Sequence, residues 1–267
     1  MAKPLFISIP HAGETVPEEA SWLRELPEPI LFCDSDRYVD MLYTPAIEKL
    51  KLPAVVAKIH RYVVDLNRWP DDIDKDSVIG SDNPAGTHPK GYHWSITTKG
   101  NRLISQPLTM DLHRKLTSKY FEPFHAEIKK MGESFKKQGA QDVFHIDAHS
   151  MPSVGEALHV DPGEKRAEIV ISDFKGKSSR KDFLDLVVAA YEKAGFTIKV
   201  NWPYIGGRIT QTYGQPQFGF HTIQVEMNRA LYMDEESKSL SKNKSPKVQQ
   251  QVLTALSYIK ENLPDIG

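Results

Sequence analysis

Cysteine is nearly absent from this chain: Cys33 is the single thiol in 267 residues. No intramolecular disulfide can form and no multi-cysteine zinc cage can be built, which leaves histidine and carboxylate as the available metal ligands. An excess of one charge is also missing, since 34 lysines and arginines stand against 35 aspartates and glutamates. Such a chain has no global field to hold nucleic acid or an anionic membrane, so a small polar substrate is the simpler partner. No hydrophobic run approaches a membrane span, and the opening Met1-Ala2-Lys3-Pro4 lacks the apolar core and cleavage site of a secretory leader. Cytoplasmic residence is the default expectation. No glycine-rich phosphate loop follows a predicted strand, which speaks against a nucleotide-binding module. Oligomeric state leaves no mark on the sequence.

What is present is enough for a core. Apolar residues make up 40% of the chain, and with no internal repeat or linker one domain over residues 1–267 is expected. Short β-branched and apolar runs predict strands at Leu5 to Pro10, Pro53 to Ile59, Tyr62 to Leu66, Val143 to Ala148, Ala167 to Ile171, Phe196 to Val200 and Thr222 to Met227. Helical spacing appears from Tyr38 to Leu50, with Asp34, Ser35 and Asp36 as capping candidates upstream. Further helices are expected at Thr109 to Lys137, which Pro123 should kink or divide, at Arg180 to Ala194, and at Val248 to Leu263. Strands alternating with helices predict an α/β fold, with a mixed, mostly parallel sheet covered on both faces. Residues 68–108 lack periodicity and are rich in Asp, Gly, Pro and Thr, which predicts a lid or active-site loop.

The chemistry gathers where strands end, the usual ligand position in open α/β sheets. The first strand runs into Pro10-His11-Ala12-Gly13-Glu14, where an imidazole and a carboxylate three apart can share a metal ion. An H-x-x-E alone is equally consistent with two solvated side chains. The strand ending His145-Ile146-Asp147-Ala148-His149-Ser150 is more specific: alternation puts His145, Asp147 and His149 on one side, and Asp147 can orient an imidazole through its other N–H. A histidine satisfied by backbone is the bland alternative. Asp36 is a further candidate ligand, or else a helix cap. Glu226 lies near the end of an apolar strand, where desolvation would raise its pKa toward the range of a general base; an ion pair with Arg229 is the structural alternative. Asn67 and Arg68 pair an amide with a guanidinium, suited to a carboxylate, while Gly206, Gly207 and Arg208 combine close backbone approach with another cation.

Taken in order, PHAGETVP (10–17), DSDRYVDMLY (34–43), VDLNR (64–68), DAHS (147–150), GGRITQTYG (206–214) and QVEMNRALYMDE (224–235) closely resemble the N-formylglutamate amidohydrolase family. The stretch GYHWSITTKG (91–100) and the EPFH around Pro123 and His125 fit the same pattern. That family is similar in fold to zinc carboxypeptidases, which implies a three-layer sandwich. The resemblance implies one divalent metal ion, zinc first among the choices, held by His11 and His149 with Glu14 or Asp36 completing the set. It implies further that Asn67 and Arg68 bind a substrate α-carboxylate, that Arg208 reaches a side-chain carboxylate, and that Glu226 is the general base. A metal ion with an open position lowers the pKa of its water from ~16 to about 7. Such a hydroxide would attack the formyl carbon of N-formyl-L-glutamate, with Arg61 or Arg208 steadying the oxyanion, and release formate and glutamate in a step of histidine breakdown. The same residues also fit a hydrolase of another N-acyl amino acid or of a peptide carboxy terminus. A non-catalytic carboxylate-binding relative is the remaining reading.

Overall fold

The computed structural model describes residues 3–264, so both extreme ends of the expected 1–267 domain lie outside the described residues. Its strands are β1 (Leu5–Ile9), β2 (Ala54–Val56), β3 (Val143–Met151), β4 (Ile169–Ser172), β5 (Ile198–Val200) and β6 (Phe220–Asn228). They form one six-stranded sheet in the order β2-β1-β3-β6-β4-β5. Every neighbouring pair is parallel except β4 with β6. The mixed, mostly parallel sheet and the alternation of elements agree with the sequence reading. The α-helices are α1 (Glu28–Leu31), α2 (Val39–Leu50), α3 (Met110–Leu116), α4 (Glu122–Lys137), α5 (Lys181–Lys193), α6 (Arg208–Tyr213) and α7 (Ser245–Asn262).

Helices α2, α5 and α7 cover one face. Their apolar stripes recur at helical spacing, Phe183, Val187, Ala190 and Tyr191 on α5 and Val248, Val252, Ala255, Leu256 and Ile259 on α7. These meet Leu5, Ile7 and Ile9 of β1, Phe144, Ile146 and Ala148 of β3, and Ile223, Val225 and Met227 of β6 in a single core. A hydrogen bond of 2.8 Å between the hydroxyls of Tyr43 and Tyr191 ties α2 to α5 inside it. The opposite face carries a second core, built from α4, the buried side of residues 57–108 and Ile209 of α6.

Because side chains alternate along a strand, the residues between those apolar positions all point to the second face. On the three central strands they are Phe6 and Ser8, then His145, Asp147 and His149, then Thr222, Gln224 and Glu226, all polar but Phe6 and every one buried. The sheet therefore carries a polar stripe on one side, and it ends where His149 pairs in register with Glu226.

Two local expectations are corrected and one is met. Tyr62–Leu66 is not a strand but a buried loop, in which the Asp65 N–H donates to the Tyr92 carbonyl and the Asp65 carboxylate accepts from the Asn67 N–H. Its apolar side chains are buried in the second core, Tyr62 against Trp94, rather than in a ladder, and a fully buried run reads the same either way. Asp34, Ser35 and Asp36 do not cap α2, whose N-cap is Tyr38 in the left-handed region without a side-chain cap bond. Pro123 does divide the long helical stretch: a π-helical turn at Thr117–Phe121 separates α3 from α4, which begins one residue before the proline. Residues 68–108 contain only isolated bridges, Val78 with Leu108 and Ile96 with Arg102. No helix among the described residues is long and apolar enough to cross a membrane.

Candidate functional site

His11 leaves β1 in a tight turn. Gly13 there presses so close to the chain opposite that a Cβ would lie 2.3 Å from the Lys58 carbonyl carbon, so only glycine fits. The His11 Nε2 lies 2.9 Å from Asp65 Oδ1, and on β3 the His149 Nε2 lies 2.8 Å from Asp147 Oδ2. Each carboxylate can hold an imidazole proton on Nε2, so Nδ1 is the inward nitrogen whose lone pair would be offered to a cation. Both Nδ1 atoms converge on Asp36 Oδ2, at 3.6 Å from His11 and 3.0 Å from His149. The ligand atoms of His11, Asp36 and His149 all lie within 4.8 Å of one another, and all three residues are buried.

That arrangement fits a divalent cation. His11 Nδ1 is buried with no hydrogen-bond partner, an unmet polar atom in a site walled by carboxylates. Two imidazole nitrogens and one carboxylate oxygen, each backed by a second residue, make a donor set that zinc and its neighbours accept. The electrostatics point the same way. Burial would press the His149 imidazole down, but Asp147, Asp36 and Glu226 raise it well above its ordinary pKa, so positive charge is favoured at this spot. Asp36 is further held by Arg229 at 3.1 Å, which also donates to the carbonyls of Cys33 and Asp34 and so fixes the segment before α2.

Glu226 stands beside this cluster on β6. It accepts a hydrogen bond of 2.9 Å from Gln224 Nε2 and forms no ion pair among the described residues, Arg229 being engaged by Asp36. Desolvation pushes its pKa up to about 7.

These groups open onto a cavity of about 330 Å³ whose lining includes His11, Asp36, His149, Glu226, Asn67 and Arg68. Asn67 is held by the Ile209 N–H at 2.8 Å, and a Cβ on Gly207 would fall 2.4 Å from its amide nitrogen. Arg61 also lines the cavity, fastened to Asp65 at 2.8 Å while its buried Nε has no partner. From residues 68–108, Lys90, Trp94 and Thr98 contribute to the wall.

Two sequence candidates are not brought into this group. Glu14, with a side chain 42% exposed, pairs with Arg37 at 2.6 Å. Arg208 does not line the cavity; its guanidinium donates to the His125 ring at 2.9 Å and lies over Trp69 at 4.5 Å and Phe121 at 4.7 Å. Other contributors escaped the sequence reading. Asp65 is visible as a carboxylate in the apolar run VVDLNR, and Trp94, whose indole N–H donates to Asp65 at 2.9 Å, lies within GYHWSITTKG without a role that spacing could give it, whereas Lys90 sits in an aperiodic stretch with no such signal.

The family model described as N-formylglutamate amidohydrolase matches residues 3–233. An N-formylglutamate deformylase from Pseudomonas putida is 29% identical over 243 residues, spanning 87% of this chain and 82% of that protein. One from Pseudomonas aeruginosa is 28% identical over 245 residues, covering 88% and 84%. Among solved structures, N-formylglutamate amidohydrolase from Ralstonia eutropha JMP134 superposes with a TM-score of 0.84 at 25% identity, over 98% of this chain and 96% of that one.

Proposed function

The chain belongs to the N-formylglutamate amidohydrolase family, and on that footing we propose that it is a metal-dependent amidohydrolase cleaving N-formyl-L-glutamate to formate and L-glutamate. The observation that carries the reading is the convergence of His11, Asp36 and His149 within 4.8 Å, in a cavity that also holds Glu226. In this reading His11, His149 and Asp36 hold one divalent cation, zinc first by its donor set, with Asp65 and Asp147 orienting the imidazoles. Such a cation supplies Lewis acidity toward a carbonyl oxygen and acidifies water.

The chain's own groups do the rest. Glu226, poised near neutrality by burial, takes a proton from the attacking water on a carboxylate oxygen. The water oxygen bonds to the formyl carbon, and the carbonyl electron pair moves to oxygen. Arg61, which lines the cavity, is the cation that would steady that negative charge. Glu226 then returns its proton to the amide nitrogen as the C–N bond breaks, releasing formate and the amine. Asn67 and Arg68 hold the α-carboxylate of the substrate, and residues 68–108 act as an active-site loop, walling the cavity through Lys90, Trp94 and Thr98.

The test is metal analysis of the purified protein together with formate release from N-formyl-L-glutamate. Bound metal at one ion per chain and formate released on metal loading are expected. Metal without formate keeps the hydrolase and rejects this substrate; no metal binding under any condition rejects the mechanism.

A further inference from the structure

Five cationic side chains line the cavity: Arg61, Arg68, Lys90, Arg166 and Arg229. Three have their charge met, Arg61 by Asp65 at 2.8 Å, Arg166 by Asp161 at 2.7 Å and Arg229 by Asp36 at 3.1 Å. Arg68 and Lys90 form no ion pair among the described residues. Arg68 uses Nε on the Lys90 carbonyl at 3.1 Å and Nη1 on the Asn67 carbonyl at 3.0 Å, which leaves its Nη2 without a hydrogen bond. The Lys90 ammonium makes one hydrogen bond, to the Leu158 carbonyl at 2.6 Å, although it carries three donors.

The two unmet charges are therefore joined through the backbone on one wall. Burial acts first on the Lys90 ammonium and, with Arg68 nearby and only Asp34 opposing, leaves it below its ordinary pKa. Two adjacent cations in a half-enclosed cavity repel each other, and an anion bridging them relieves both. His159 adds a neutral donor to the same cavity: its Nδ1 accepts from the Glu156 N–H at 2.7 Å, which puts its proton on Nε2. Arg208, the sequence candidate for a second carboxylate, is engaged with His125 away from the cavity.

We propose that Lys90 is a specificity-determining residue whose ammonium binds the side-chain carboxylate of an acidic N-acyl amino acid, while Arg68 takes the α-carboxylate. This deepens the functional reading above and rests on it. Selectivity for an acidic substrate then follows from the pair: a neutral side chain leaves the Lys90 charge desolvated and unmet, as a site built for a polar partner penalises an analogue lacking it.

The experiment compares N-formyl-L-glutamate with N-formyl-L-glutamine, the same shape without the charge, in wild type, Lys90→Met and Lys90→Arg. For Lys90→Met, kcat/KM on the glutamate substrate should fall about 10- to 100-fold, chiefly through KM, as expected for a lost charge-assisted bond. The rate on the glutamine substrate should rise, because the unmet charge that penalised it is gone, with metal content at the wild-type level; discrimination then collapses from both sides, and Lys90→Arg should restore part of it. A non-specific structural defect would lower both rates together, and that result overturns the proposal. If wild type cleaves N-formyl-L-glutamate and Lys90→Met keeps full discrimination, Lys90 is wrong and the functional reading stands. If wild type cleaves neither compound, the functional reading fails on its own. Calorimetric binding of L-glutamate against L-glutamine to both metal-loaded proteins then decides, and an equal preference in the two overturns the Lys90 assignment.

Discussion

Replacing Glu226 with glutamine should act in opposite directions on turnover and on the stability of the metal-free protein. The side chain is only 6% exposed and receives one hydrogen bond, from Gln224 at 2.9 Å. Glutamine has the same shape and keeps an oxygen for that bond, so the charge and the capacity to take a proton are what is lost. Burial pushes the Glu226 pKa from 4.5 up to about 7. The folded protein therefore holds this proton more tightly than the unfolded chain, and stability falls as pH rises across that window. At about 1.36 kcal/mol per pKa unit the whole shift is worth about 3 kcal/mol. At pH 5 the unfolded carboxyl is already mostly ionised, so about 2.5 kcal/mol of the penalty develops between pH 5 and pH 8.

Glutamine carries no such penalty. With the metal removed by a chelator, urea unfolding at pH 5 and pH 8 should find the stability difference between Glu226→Gln and wild type widening by about 2.5 kcal/mol in favour of the variant. In the metal-loaded protein, formate release should fall about 10²- to 10⁴-fold, the usual contribution of a positioned acid-base group. Metal content should stay at the wild-type level. A stability difference that does not change with pH would mean the carboxylate is better solvated than its burial implies. Activity within tenfold of wild type would remove Glu226 from the proton-transfer role.

Asp147→Asn keeps the shape beside His149 but weakens its hold on the Nε2 proton, and metal affinity in a chelator competition should drop about 10- to 100-fold; unchanged affinity would show that the imidazole is oriented by packing alone. Gly207→Ala places a methyl 2.4 Å from the Asn67 amide nitrogen, so Asn67 must move. A rise in KM for N-formyl-L-glutamate, together with a stability loss of about 1–3 kcal/mol, is expected, and wild-type values for both would refute the close packing. Asp142 bonds His221 at 3.0 Å and Arg180 at 2.6 Å, and although burial opposes it, these partners hold its pKa below the ordinary 3.8. Its contribution is present above that value and lost as pH falls through the lowered pKa, so acid unfolding of Asp142→Asn should begin from a lower plateau and descend less steeply below about pH 4.

Periodicity made most of the fold legible, because amphipathic helices and alternating strands write their buried faces into the sequence. The polar stripe was half visible: His145, Asp147 and His149 could be placed on one side of β3 from alternation alone, and Glu226 stood out as a carboxylate in an apolar strand. Residues 62–66 misled because a buried run is apolar whether it forms a ladder or packs as a loop. The cavity wall from residues 68–108 could not be resolved into roles, since aperiodic backbone fixes side-chain directions through individual contacts, such as Thr98 donating its N–H to Asp34 at 3.1 Å, that no spacing encodes.

The competition between Glu14 and Asp36 turns on the same limit. A three-residue spacing brings two side chains together on a helix, where the repeat fixes their direction, but His11 and Glu14 lie in a turn that continues past Gly13 toward the Lys58–Ile59 backbone. There the chain's direction is set by that close approach, and Glu14 emerges at the surface, where Arg37 meets it at 2.6 Å. Asp36 comes from a separate segment, docked because the Asp36 N–H donates to the His11 carbonyl at 3.1 Å and Arg229 gathers the carbonyls of Cys33 and Asp34. Read as a helix cap, Asp36 had an adequate local explanation; the left-handed Tyr38 that starts α2 instead leaves its carboxylate free of that duty and beside both imidazoles. A carboxylate with no local task, buried beside two histidines whose outer nitrogens are already occupied, is the stronger ligand candidate, and Asp36→Ala should therefore abolish tight metal binding where Glu14→Ala leaves it intact. Equal metal affinity in the two variants, measured by chelator competition, would refute that ranking.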